Sequence, residues 1–260
     1  MNKKERPLIL ITNDDGVSAK GIKALIETTL PFGDVVVFAP DGVRSGMSNA
    51  ITVYNAVTYT KLSSQEGLTI YSSSGTPTDC VKLSSQLLFQ ERRPDLLLSG
   101  INHGSNASVN IFYSGTMGAV LEGCVSGITA IGFSLCDHDP DADFSPSIPY
   151  IRTIIEETLK KPLPWGVCLN VNMPEGDIKG VKVCRQALGY WKEEYEAQQN
   201  ENGQTGYWLT GRFVCRDEHV EDTDDWALAN GYVSIVPCNV DLSDKGYIIE
   251  IKHWEKYHVG

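Results

Sequence analysis

One stretch near the amino terminus limits what this chain can become. Leu8, Ile9, Leu10 and Ile11 run without a break into Thr12-Asn13-Asp14-Asp15-Gly16. An aliphatic run closed by turn-forming residues is a strand buried on both faces, as in a parallel sheet. The two carboxylates then sit at its carboxyl-terminal tip, where open α/β sheets bind their ligands. Adjacent anions repel, and a divalent cation or a shared proton relieves the repulsion. Taken alone, the stretch is equally well a solvated Asn-Asp-Asp-Gly turn, so the remainder of the chain has to decide.

A chain of 260 residues, 42% of them hydrophobic, has room for one large α/β domain. We expect a single domain over 1–260, with an arm protruding at 187–216. Acidic residues outnumber basic ones by 33 to 22, for a net charge of -11. That balance argues against nucleic-acid polymers and anionic membrane surfaces as partners, but not against a small phosphorylated substrate whose charge a metal offsets. Residues 1–7, MNKKERP, lack the apolar core of a signal peptide, and no later apolar run approaches the ~20 residues of a membrane span. The expectation is a cytoplasmic protein.

The seven cysteines are scattered, without a C-x-x-C pair, mostly in apolar stretches, and read as buried reduced thiols. The five histidines show no metal-ligand spacing, and His138, within 137-DHDPDAD-143, belongs on a solvated loop. For the same reason of compartment, the Asn106-Ala-Ser sequon is coincidental.

Helical spacing of Ile22, Leu25, Ile26 and Leu30 between two strand runs, Leu8–Ile11 and Asp34–Phe38, makes a right-handed β-α-β unit. The loop 39-APDGVRSGMSNA-50 follows at the same sheet edge as Asp14. Ile51–Thr60 and Leu68–Ser72 alternate as an antiparallel pair around a turn at 63–67. In 75-GTPTDC-80, Thr76 is placed as an N-cap with Pro77 first in the helix and Asp79 in its first turn, and Val81, Leu83, Leu87 and Leu88 are expected inward. Asp95–Ser99 is a strand ending in the loop 100-GINHGSNAS-108. Ser114 then caps a helix whose small early residues, Gly115, Gly118 and Ala119, leave its amides open to an anion. Simple capping with close packing accounts for the same residues. Ile128–Leu135 and Val167–Val171 are further strands, Ser147–Leu159 a helix. Val181–Arg185 is strand-like, Asp222–Asn230 a short helix capped by Thr223, and Tyr232–Pro237 the last strand. The aromatic-studded stretch 187–216 reads as a hairpin arm suited to a subunit contact or a lid.

In a parallel sheet the loops at Asn13-Asp-Asp, Arg44-Ser-Gly, Gly100-Ile-Asn and Ser114-Gly-Thr all fall at one edge. Carboxylates, a hydroxyl and an amide oxygen are hard donors suited to Mg²⁺ or Mn²⁺, and the amides at Ser114–Thr116 suit a phosphate. The sequence holds no G-x-x-x-x-G-K-[ST], no G-x-G-x-x-G after a strand and no G-x-S-x-G elbow. A phospho-acceptor signalling domain would need an acceptor Asp and a Lys that Ser99-Gly-Ile-Asn102 and Ser134-Leu-Cys136 do not supply.

These residues resemble the survival protein SurE family of 5'-nucleotidases. The resemblance rests on 12-TNDDG-16, 39-AP(x)3-RSG-46, 75-GTPTDC-80, 99-SGIN-102 with Gly104 and Asn106, 113-YSGT-116 with Glu122-Gly123, and 231-GYVSIVP-237 with Asp241-Leu242. It implies a Rossmann-like, mostly parallel sheet flanked by helices, with a C-terminal hairpin and tail exchanged between subunits of a homodimer or homotetramer. It also implies one divalent metal per subunit, Mg²⁺ or Mn²⁺, on Asp14, Asp15, Ser45 and Asn102. Asn13, Gly46, Asn106, Ser114, Gly115 and Thr116 would line the phosphate pocket. Of the catalytic pair Asp14 and Asp15, either could act on a water or attack the phosphorus directly. The implied activity is hydrolysis of nucleoside 5'-monophosphates, with 3'-monophosphates and short polyphosphate as further substrates. The loop 103-HGSNASVNIF-112 and the arm after Arg185, which lacks the family's common basic run, depart from the pattern, and they bear on base preference and subunit contacts.

Overall fold

The first strand, β1 (Leu8–Thr12), has no solvent-facing side. Ile9 and Ile11 enter one apolar layer and Leu10 the other, so the unbroken aliphatic run is explained by burial on both faces. The computed structural model describes residues 6–257; residues 1–5, part of the polar start read above as unlike a leader, lie outside the described residues, as do 258–260.

Helix α1 (Lys20–Thr29) returns the chain to β2 (Asp34–Pro40), which lies parallel to β1. A hairpin of β3 (Tyr59–Gln65) and β4 (Leu68–Ser73) adds the sheet's edge, with β4 parallel to β2. The expected strand over Ile51–Thr60 is corrected here: it begins only at Tyr59 and runs on to Gln65, with a tighter turn. The preceding residues are irregular because their polar groups are drawn elsewhere, Thr52 to the Asp79 carboxylate and Thr58 to Ser74.

Helix α2 (Pro77–Leu88) starts with a full capping box between Thr76 and Asp79. Of its four expected inward residues, Val81 is buried, whereas Leu87 points outward and is 43% exposed. Small Cys80 and Ser84 take the buried stripe instead, because α2 packs closely on its neighbouring helix. Strand β5 (Leu96–His103) runs on past its expected end at Ser99, through a register shift between Ser99 and Asn102. It is followed by a short 3-10 helix (Ser108–Phe112), helix α3 (Gly115–Val125), strand β6 (Ala130–Leu135), helix α4 (Ile148–Lys160) and strand β7 (Val167–Met173).

Strand β8 (Gly180–Val183) leads into the arm. In it β9 (Gly189–Lys192) pairs with β12 (Arg212–Cys215), and further out β10 (Tyr195–Gln199) pairs with β11 (Thr205–Leu209), all antiparallel. Helix α5 (Asp224–Ala229), capped by Thr223, is followed by strand β13 (Tyr232–Asn239), helix α6 (Lys245–Ile251) and a 3-10 turn at Lys252–Lys256.

The main sheet has the order β3-β4-β2-β1-β5-β6-β7-β13-β8. From β4 through β7 every pairing is parallel, and β13 runs antiparallel to β7. Helices α1 and α4 cover one face through Ile22, Leu25, Ile151 and Ile155, and α2 and α3 cover the other through Val81, Met117 and Val120. The fold is thus the Rossmann-like α/β sheet with a protruding hairpin arm. The chain moves outward from β1 to β2 on one side and later resumes at β5 on the other. The crevice beyond the carboxyl ends of β1 and β5 is therefore the topological switch point, and the turn carrying Asp14 opens onto it.

Candidate active site

The turn after β1 holds its shape through Asn13. The Asn13 side-chain amide donates to the Gly16 carbonyl at 2.9 Å, and Gly16 adopts φ +97° where its backbone packs on Gly42. Having no Cβ, Gly16 alone meets both demands. The committed amide leaves Asn13 Oδ1 buried and without a hydrogen-bond partner.

Asp14 is 3% exposed. Its Oδ1 accepts a 2.5 Å hydrogen bond from the Thr116 hydroxyl, itself fully buried in the first turn of α3. A Cβ on Gly115 would come within 2.9 Å of Asp14 Oδ2, so the helix start lies directly against the carboxylate. Burial pushes the Asp14 carboxyl up to about 6; the Thr116 bond opposes this rise and the neighbouring Asp15 charge adds to it. Asp15 is half-buried, and burial raises its pKa too, against a weak 3.5 Å bond from the His103 backbone amide. His103 Nδ1 is buried without a partner, its ring set edge-on to Phe144.

Helix α3 presents its amino end here because Ser114 caps it, accepting from Met117 N at 3.0 Å. The loop 41–50 is fixed against the same helix start. Arg44 N donates to the Asp14 carbonyl at 2.7 Å, and Ser48 binds the Tyr113 carbonyl through its amide and the Phe112 carbonyl through its hydroxyl. Ser45 and Gly46, between these anchors, are exposed, and Gly46 has φ +73°. Asn102 is buried near the end of β5, its amide nitrogen bonded to the Gly104 carbonyl, which leaves its oxygen as the end open to a ligand.

The structure therefore brings Asn13, Asp14, Asp15, Ser114, Gly115 and Thr116 together, with the Ser45–Gly46 loop and Asn102 at the flanks. Asn106 is tied elsewhere. Its backbone and side-chain amides donate to Asn172 Oδ1 and Ser134 Oγ, and its carbonyl accepts from Asn170, a buried network that braces β6 and β7. The same burial keeps its sequon amide from solvent. His138 is exposed as expected, yet its ring covers Gly104, where a Cβ would meet it at 2.3 Å.

The residues fit a hard divalent cation. Two adjacent carboxylates, both pushed toward the neutral form by burial, follow directly on Asn13, whose oxygen is orphaned, and the Asn102 oxygen at the end of β5 is left out of that side chain's bond to Gly104. Among the described residues no three His, Cys, Asp or Glu side chains gather into a group able to hold a metal. A cation here thus depends on hydroxyl and amide oxygens completing the acid pair.

Three features escaped sequence reasoning: the Thr116 clamp on Asp14, the His103 amide behind Asp15, and an aromatic cavity at the base of the arm. The first two arise from residues far apart in the chain. The third had a signal in the aromatic density of the arm.

Residues 9–193 match the family model described as Survival protein SurE. The chain belongs to the SurE family. Proteins named 5'-nucleotidase SurE from Phocaeicola vulgatus and Bacteroides fragilis are 51% and 50% identical to it, over 97% of this chain and 98% and 99% of theirs. A solved SurE protein from Aquifex aeolicus superposes with a TM-score of 0.82 at 35% identity, covering 96% of this chain and 100% of that one. The span matched to SurE includes every element of the candidate site and stops at the base of the arm, before β10.

Proposed function

We propose that this chain is a metal-dependent phosphomonoesterase that hydrolyses nucleoside 5'-monophosphates, with 3'-monophosphates and short polyphosphate as further substrates. The observation that carries the reading is the buried Asp14, with Asp15 beside it, at the switch point and against the open end of α3. The names of the relatives support the same chemistry.

Asp14, Asp15, Ser45 and Asn102 would hold one Mg²⁺ or Mn²⁺ per subunit. When bound, the cation supplies Lewis-acid polarisation of a phosphoryl oxygen and offsets the negative charge gathered at the site. Thr116 fixes Asp14 through Oδ1, and Oδ2 lies against Gly115 at the start of α3. The amino end of α3, at Ser114, Gly115 and Thr116, stabilises charge on the equatorial phosphoryl oxygens, and Asn13 and Gly46 close the pocket. The Thr116 hydroxyl and backbone amide both serve the Asp14 carboxylate, so Thr116 bears on the phosphate by fixing that acid. Asn106 also has its amide nitrogen committed, and its part is to brace the pocket's wall. Asp15, the less buried acid, would take a proton from an attacking water.

We extend the same reading to one domain over 1–260 carrying the arm at 187–216, working in the cytoplasm as a homodimer or homotetramer without nucleic-acid polymer or membrane partners. No helix among the described residues is long and apolar enough to cross a membrane.

The test is phosphate release from a panel of nucleoside monophosphates and polyphosphate, with EDTA, Mg²⁺ or Mn²⁺, for the unaltered protein and Asp14→Asn. Metal-dependent release that vanishes in the variant is expected. Full activity in EDTA, or in the variant, overturns the proposal.

A further inference from the structure

Where the arm leaves the sheet it encloses a cavity of about 460 Å³ against the segment that precedes α3. Tyr113, Trp191, Tyr195 and Leu209 supply its apolar lining, and Asn110 and Glu194 its polar groups. Tyr113, which lines the cavity, immediately precedes the helix cap Ser114, so the cavity wall and the start of α3 are neighbours in the chain, with consecutive Cα atoms about 3.8 Å apart. We propose that this cavity is the nucleoside seat of the site, where the substrate's base stacks on Trp191, Tyr113 and Tyr195 while its phosphate lies at the start of α3. This rests on the phosphomonoesterase reading above.

The aromatic wall is pre-set. Trp191 donates its indole N–H to Asn110 Oδ1 at 2.9 Å, and its ring meets Phe213 edge-on at 6.0 Å. Asn110 is itself tied to the Ser105 carbonyl. With its only polar atom satisfied inside the protein, Trp191 offers a ligand nothing but ring surface. Such a surface takes a flat aromatic group and tolerates any base, because every base has a π-face. Among the described residues the Glu194 side chain has no hydrogen bond or ion pair. An unpaired carboxylate repels a phosphate and accepts from the N–H groups on a base edge, which orients the substrate with its base in the cavity and its phosphate toward Ser114.

The discriminating substrate pair is guanosine 5'-monophosphate and ribose 5-phosphate, which share the reacting group and differ by the base. The variants are Trp191→Ala and Tyr195→Ala; Tyr195 is 66% exposed, so its truncation leaves the fold intact. The expected result is a rise in KM for the nucleotide of about tenfold, the size of one lost stacking partner, with ribose 5-phosphate turnover unchanged. An equal loss for both substrates, or no change in Tyr195→Ala for either, overturns the proposal. So does a nucleotide-specific loss that tracks a change of mass in solution, because the aromatics would then serve an assembly contact.

If the unaltered protein hydrolyses neither compound, the phosphomonoesterase reading fails by itself, and calorimetry judges the seat. Nucleotide binding that ribose 5-phosphate does not reproduce, and that Tyr195→Ala weakens, supports it. Absent binding, or binding indifferent to the variant, overturns it.

Discussion

Thr116 donates its hydroxyl to Asp14 Oδ1 over 2.5 Å, with both side chains out of solvent, and so joins the tip of β1 to the first turn of α3. The bond both orients the carboxylate and makes its burial tolerable. Thr116→Val removes the donor, and at neutral pH in EDTA we expect a loss of about 2 kcal/mol, the usual worth of a hydrogen bond to a charged group. Thr116→Ser, which keeps the hydroxyl, should stay near the parent. Manganese titration by calorimetry should show affinity weakened about tenfold in Thr116→Val only, as for other partners that orient a ligand. Equal affinity in both variants would deny Thr116 its positioning role.

The cost of burying Asp14 has a definite sign. Its carboxyl stands at about 6 in the fold against an ordinary 3.8, so between those values the folded state holds more protons than the unfolded chain. The contribution of Asp14 to the stability of the metal-free protein therefore falls as pH rises through that window and levels off above it. Asp14→Asn removes the penalty. At pH 7 in EDTA the variant should be more stable by roughly 2–3 kcal/mol, although phosphate release is abolished. The gap should close as pH is lowered toward 4. Denaturant unfolding of both proteins across the window checks this, and a variant less stable at pH 7 refutes it.

Much of this arrangement was legible in the sequence, for identifiable reasons. The strand at Leu8 and the caps Thr76, Ser114 and Thr223 are local features, decided by a few adjacent residues, and the structure has each in place. The loops after the strands could be assigned to one edge because a parallel sheet allows no other arrangement. Ile51–Thr58 misled because its alternation is shared by a segment whose backbone is held by Asp79 and Ser74. Leu87 misled because small residues on α2 took the buried stripe. The Thr116–Asp14 bond spans 102 positions, and the Trp191–Asn110 bond 81; no local pattern encodes either.

Asp79 provides a contrast among the acids. Burial works to raise its pKa, but hydrogen bonds from Thr52 and Thr76 outweigh it and hold the carboxyl below the ordinary value. Its contribution is therefore present above the unfolded pKa and lost as pH falls through the lower folded one. Asp79→Ala should destabilise the protein by about 1–2 kcal/mol through the lost cap, with manganese affinity unchanged. A large change in metal affinity would move Asp79 from the capping box to the site.

Gly118 tests whether the loop 41–50 must rest on α3 for the site to work. A Cβ there would stand 2.2 Å from the Ser48 carbonyl oxygen, a backbone atom that cannot swing aside. Gly118→Ala must therefore push the loop outward and loosen the bonds from Ser48 to Tyr113 and Phe112. Ser45 and Gly46 would move with it, whereas Asp14 and Thr116, on the other side of the helix start, keep their bond. Alanine also favours the helix, so α3 itself is not weakened. The expected outcome is a fall in kcat/KM of about 10²-fold, typical of a displacement near 1 Å, with far-UV circular dichroism unchanged. Unaltered kinetics would show that Ser45 and Gly46 contribute nothing that depends on their seat against α3.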